Sequence, residues 1–100
     1  MTEVSVVVGV CKVVLALYDN GSLKGKRSVV KKVIHRTRNR FNVAMAEVED
    51  NDILDHAVVA FTLIGNDRRV INSRIDKIVD AIEEMGIAPV ADHDFDIVSY

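Results

Sequence analysis

The stretch NVAMAEVEDNDILDHAVVAFTLI, residues 42–64, decides the architecture of this chain. Asn42–Glu49 and His56–Ile64 each read as a strand, rich in Val, Phe, Thr and Ile. The run between them, DNDILD (residues 50–55), is an acidic connection that lacks the glycine and closing glutamate of a calcium loop. Two strands therefore follow one another directly, and the pattern on either side of them must be fitted around that hairpin.

Upstream, Leu23, Val30, Val33, Ile34, Thr37 and Phe41 recur at the spacing of an amphipathic helix, predicted over about residues 23–40 with Ser22 as N-cap. Before it, the Val-rich residues 4–18 form a first strand, because branched side chains crowd a helix and pack well on a pleated surface. The sequence DNGS (residues 19–22) breaks that strand. Downstream, Asn66 or Asp67 caps a second helix whose Ile71, Ile75, Ile78, Val79, Ile82 and Met85 share one face, and Gly86 stops it. APVADHDFDIVS (residues 88–99) supplies the last strand.

The order is β-α-β-β-α-β with no internal linker, so residues 1–100 are read as a single domain. Two one-sided helices and four strands pack most simply as an α+β, ferredoxin-like, two-layer sandwich: a four-stranded antiparallel sheet with both helices on one face. Right-handed crossovers leave little topological choice. Alternation assigns Cys11, Val13, Leu15 and Leu17, with Ala57, Val59, Phe61 and Leu63, to the helix side. Their neighbours face outward.

One hundred residues, 49% apolar and 28% charged, are enough for one core without staples. The lone Cys11 excludes an internal disulfide and suits a reducing compartment. The apolar segment Val4–Tyr18 follows Glu3 rather than a basic region, carries Lys12 in its middle and is too short to span a bilayer. A cytoplasmic protein with no membrane partner is expected.

Charge is distributed very unevenly. Residues 21–40 hold eight of the thirteen Lys and Arg residues and no acid, in a chain whose formal net charge is −2. Lys24, Lys31, Lys32, His35 and Arg36 fall opposite the apolar stripe of the first helix, and Arg27, Arg38 and Arg40 flank it. Lys24, Lys26 and Arg27 also sit near a helix N-terminus, where the dipole disfavours cations. A bound anion would relieve this, so Ser22, Lys24 and Lys26 are predicted to form an anion site. Arg68 and Arg69 repeat the pattern at the second helix.

Nucleic-acid phosphates are the favoured partner, with Lys24, Lys26, Arg27, Lys31, Lys32, Arg36, Arg38, Arg68 and Arg69 as the predicted contacts. The outward sheet face carries Val8, Val10, Lys12, Val14 and Ala16 beside Val58, Ala60, Thr62 and Ile64. No aromatic stands there to stack on bases, so backbone contact by the helices is expected rather than sheet-based reading of single strands. The same apolar face is expected to form a homodimer, unless long side chains of its neighbours cover it.

Cys11 reads as a small core hydrophobe. His35, His56 and His93 lie on different elements with no metal-ligand spacing, and Asp92, Asp94 and Asp96 read as charges that discourage pairing at an edge strand. No catalytic motif, metal site or cofactor fingerprint occurs.

The segments VGVCK (residues 8–12), SLKGKRSVVKKVIHRTRNRFNVAMAEV (residues 22–48) and ND (residues 66–67) together resemble the YlxP-like family, small bacterial proteins of unknown function. The resemblance implies a ferredoxin-like fold. It also implies a ribosomal or RNA context, since family genes often neighbour those for translation initiation factor two and ribosome-binding factor A. Where the family commonly has Glu, this chain has Gly25, which removes the capping box with Ser22 and weakens the start of the helix.

A non-enzymatic RNA- or ribosome-associated factor is thus the leading expectation. An acylphosphatase-like hydrolase, with Arg27 holding a phosphate and Asn66 positioning water, is the alternative from fold analogy. A homodimeric protein-interaction module is the third.

Overall fold

The computed structural model describes residues 5–18 and 21–100. Its elements are β1 (Val7–Ala16), α1 (Leu23–Arg40), β2 (Ala44–Glu49), β3 (His56–Gly65), α2 (Arg68–Glu84) and β4 (Val90–Ser99). The strands form one sheet in the order β2-β3-β1-β4, with every neighbouring pair antiparallel. This is the ferredoxin-like βαββαβ sandwich that the hairpin at residues 42–64 implied. The predicted start of β1 at Val4, and Asp19 and Asn20 of the predicted break after it, lie outside the described residues.

Local chemistry explains the element boundaries. Ser22 caps α1 by accepting the Gly25 N–H at 3.0 Å, so the helix begins at Leu23 although Gly25 removes the capping box. Between the two possible caps of α2 the choice falls on Asp67, whose carboxylate accepts the N–H groups of Arg69 and Val70. Gly86 follows Met85, the C-cap of that helix, with φ +66°, a left-handed conformation that costs glycine little.

The core lies between the sheet and the helices, with α1 over β2 and β3 and α2 over β1, β4 and β3. All eight residues assigned to the helix side are buried. Ile71, Ile75, Ile78 and Ile82 of α2 are at most 1% exposed, each contributing about 1.5–3 kcal/mol through burial. The approach of α2 to β1 depends on Gly9, where a β-carbon would stand 2.6 Å from Ile71 Cγ2 and 3.0 Å from Ile75 Cδ1.

Two irregularities shape the sheet. β1 and β4 shift register between Val14 and Leu15, and β2 and β3 shift between Glu47 and Glu49. In the second, Glu47 pairs with Val59 of the inner face while Glu49 pairs with Val58 of the outer one. Regular alternation would have put both glutamates on one face; the extra residue, Val48, sends them to opposite faces.

Candidate nucleic-acid interface

The exposed side of α1 follows from its helical spacing. Lys24, Arg27, Lys31, Lys32, Arg36 and Arg38 are all exposed, and none forms an ion pair with any described residue. The pairs Arg27–Lys31, Lys32–Arg36 and Arg36–Arg40 are like charges four residues apart, each unfavourable by about 0.2–0.5 kcal/mol. No acid stands in the first turn to offset the dipole there. His35 lies on the same side, with Nε2 at 3.2 Å from the Asn39 amide.

Lys26 does not belong to this array. Its side chain is 1% exposed and points inward, where Nζ donates to the carbonyl oxygens of Asp50 and Ile53, both at 2.6 Å, and lies 3.2 Å from Glu47 Oε2. The expectation that it contacts a polyanion is therefore corrected. The reason is visible in the spacing: Lys26, Val30, Val33 and Thr37 are the four buried residues of α1, separated by 4, 3 and 4 positions along one stripe. Glu47 Oε2 is itself buried and accepts no aligned hydrogen bond, so its link to Lys26 is an ion pair. Regular alternation from Ala44 aims Glu47 at this lysine, while the bulge at Val48 turns Glu49 to the other face, where it takes Lys12 at 3.0 Å.

The predicted anion site at the start of α1 loses its convergence for the same reason. The Ser22 hydroxyl is occupied as the helix cap and Lys26 is turned into the core, leaving Lys24 alone at the surface.

Arg68 and Arg69 stand at the other end of the molecule, because Gly65, just before α2, pairs with Val7 while α1 starts beyond Ala16. Arg68 is committed to β4, donating to Ser99 Oγ at 3.0 Å and the Ile97 carbonyl at 2.9 Å. Arg69 is exposed. Sequence reasoning missed a different pair: Arg74 and Lys77 of α2 border a cleft with Arg40 at the end of α1. Only the tertiary crossing of the two helices brings these three cations together. The Arg40 guanidinium rests over the Phe41 ring, 5.3 Å from its centroid.

Arg27 and Asn66, paired in the hydrolase alternative, are separated by the length of β1. Arg27 is one turn into the helix that follows the Ala16 end, and Asn66 follows the residue that pairs with Val7. Nine strand steps at about 3.3 Å put those ends roughly 30 Å apart. The two side chains cannot hold one phosphate, which corrects that assignment.

Elsewhere, the outer sheet face is partly covered. Val58 is 5% exposed, in a hollow shared with Lys12, Glu49, Asp92 and Asp94, whereas Val10, Ile64 and Val98 remain open. By register Asp92, Asp94 and Asp96 share that face, and no aromatic stands on it. His56 has Nδ1 at 2.7 Å from Asp55 and Nε2 at 2.8 Å from Asp50, and hydrogen bonds to these two carboxylates raise its pKa above the ordinary value. Burial, reinforced by Asp94 and Asp76, pushes the Cys11 thiol up to about 11, so it stays protonated and inert in the core. Among the described residues no group of three or more His, Cys, Asp or Glu side chains could hold a metal, and no helix is long and apolar enough to cross a membrane.

Comparison with known proteins places the chain. Two solved structures are similar in shape: LarC2, the C-terminal domain of a cyclometallase involved in the synthesis of the NPN cofactor of lactate racemase, and a dimeric ferredoxin-like protein from an uncultured marine organism. The first has 11% identity and a TM-score of 0.48, over 96% of this chain and 57% of that one. The second has 13% identity and a TM-score of 0.38, over 98% and 94%. At these scores neither likeness bears on function. In sequence, the uncharacterized protein YlxP of Bacillus subtilis (strain 168) is 28% identical over 67 residues, 67% of this chain and 73% of that protein. Residues 8–95, from the first strand into the last, match the family described as Protein of unknown function (DUF503), and the chain belongs to that family.

Proposed function

We propose that this protein is a non-enzymatic RNA- or ribosome-associated factor that grips phosphate groups with the exposed side of α1. The observation that carries this reading is the row Lys24, Arg27, Lys31, Lys32, Arg36 and Arg38, exposed and without an acid partner among the described residues. A chain with two more acids than bases could have neutralised that row, and none of its described acids does. The described acids that do form pairs, Glu47, Glu49, Asp50 and Asp55, meet Lys26, Lys12 and His56 instead. Such a surface binds by counterion release, with steep salt dependence and little base preference.

The test is binding of structured RNA, or of ribosomal subunits, across about 50–200 mM salt. The joint variant Lys31→Glu, Lys32→Glu is expected to weaken binding and to reduce the salt slope by about 2, one for each lost phosphate contact. No binding at the lowest salt, or binding indifferent to the two substitutions, would sink the proposal.

A second reading concerns the outer sheet face as a contact between two copies of the chain. It is favoured by the exposure of Val10, Ile64 and Val98, at 43%, 65% and 50%, beside an apolar trough over Ala44, Ala46 and Ala60. Sedimentation at high concentration tests it, and a monomer throughout would reject it.

A further inference from the structure

We infer that the cleft between the end of α1 and the middle of α2 takes one phosphorylated nucleotide unit, its phosphate on Arg40, Arg74 and Lys77 and its base or sugar on the apolar floor. The inference rests on the RNA reading for the source of that nucleotide, and it adds a site that reads more than backbone charge.

The cleft exists because β2 is short. Its pairing with β3 starts at Ala44 and Thr62, so the last residues of β3, Leu63–Gly65, have no strand beside them on that edge. The notch left there has a volume of about 390 Å³, within the range of small-ligand sites and large enough for one nucleotide. Phe41, Val43, Leu63 and Ile78 form its floor and walls, while Arg40, Asn42, Arg74 and Lys77 supply its polar groups.

Three features select the ligand. Three cations converge and no acid lines the cleft, which calls for an anion. Arg40, Arg74 and Lys77 have no ion pair or side-chain hydrogen bond among the described residues, so their donors are available. The apolar floor adds what a bare phosphate would not use, and the Arg40 guanidinium, braced on Phe41, offers a planar cation on which a base can stack. The cleft also continues past Asn42, Val43 and Arg74 toward Val8, Thr62 and Ile64, giving a strand a path out across the sheet edge.

The experiment is an amide NMR titration of the full chain with UMP, AMP, inorganic phosphate and a short single-stranded RNA. Both mononucleotides are expected to shift the amides of Asn42, Val43, Leu63 and Arg74, and to do so more strongly than phosphate. The joint variant Arg74→Ala, Lys77→Ala should bind about a hundredfold more weakly, each of the two charge-assisted contacts being worth about a decade. Lys31→Glu with Lys32→Glu should leave mononucleotide binding intact, which separates this site from the α1 surface. If structured RNA fails to bind but the mononucleotides still shift these amides, the cleft stands and only its RNA source falls. Unmoved cleft amides, shifts no larger than those with phosphate, or unchanged affinity in a folded Arg74→Ala, Lys77→Ala variant would overturn the inference.

Discussion

Replacing Lys26 by Met should be far more damaging than its place in a basic helix suggests. The side chain is 1% exposed, and Met keeps most of its volume while removing the charge. Two carbonyl oxygens in the β2–β3 connection then lose a charged donor, a bond type worth about 1.5–3 kcal/mol each. Glu47 loses its counter-ion, and breaking a buried pair from one side costs about 3–5 kcal/mol. These terms overlap. Glu47 is 16% exposed and rehydrates in part, so the net destabilisation is expected at about 2–4 kcal/mol, or about 10–25 °C in Tm for a domain of this size. Urea unfolding monitored by circular dichroism measures it, with Lys31→Met as the control; that exposed, unpaired lysine should change stability by no more than about 0.5 kcal/mol. Adding Glu47→Leu to Lys26→Met should recover part of the loss, because no unpaired carboxylate is then left behind. If Lys26→Met proves as mild as Lys31→Met, the lysine is not the structural post inferred from these distances.

Two further outcomes follow from the packing and the loop. His56 is expected to titrate above 6.5 in NMR, since both ring nitrogens face carboxylates and only the imidazolium donates to both. A raised folded-state pKa means that its stabilisation is full below about pH 6.5 and fades as pH rises through the folded value. Asp50→Asn with Asp55→Asn should return the titration to the ordinary range; a wild-type His56 that titrates at or below 6.5 would contradict the two contacts. Gly9→Ala should cost about 1–3 kcal/mol by overpacking against Ile71 and Ile75. Ile71→Leu, which removes the offending Cγ2 branch, should lessen that cost in the double variant, and additive losses would argue against the clash.

Much of the fold is legible in the sequence because local signals and burial agree. α1 begins and ends where Ser22 and the apolar spacing put it, and β3 alternates from Val59 to Ile64 as a half-covered strand should. The site is less legible, and Lys26 shows why. Its position on the stripe of Val30, Val33 and Thr37 was readable, but a lysine is buried only when an acid and free carbonyls meet it, and those come from residues 21, 24 and 27 positions downstream. Asp50 contributes its carbonyl from a left-handed conformation, φ 54°, that no pattern of hydropathy encodes. The meeting of Arg40 with Arg74 and Lys77 is likewise a product of helix placement.

The single extra residue in β2 has a consequence for how relatives of this chain can diverge. Substituting Val48 alters one exposed side chain and deleting it leaves Glu47 and Glu49 adjacent, still on opposite faces, but pairing Val48 into the ladder would bring the two glutamates to the same side of the sheet. One of Lys12 and Lys26 would then lose its acid. The bulge is thus under the same constraint as residue identity: a relative can lose the extra residue with the lysines and glutamates unchanged, but one that keeps it and straightens the strand must change them together.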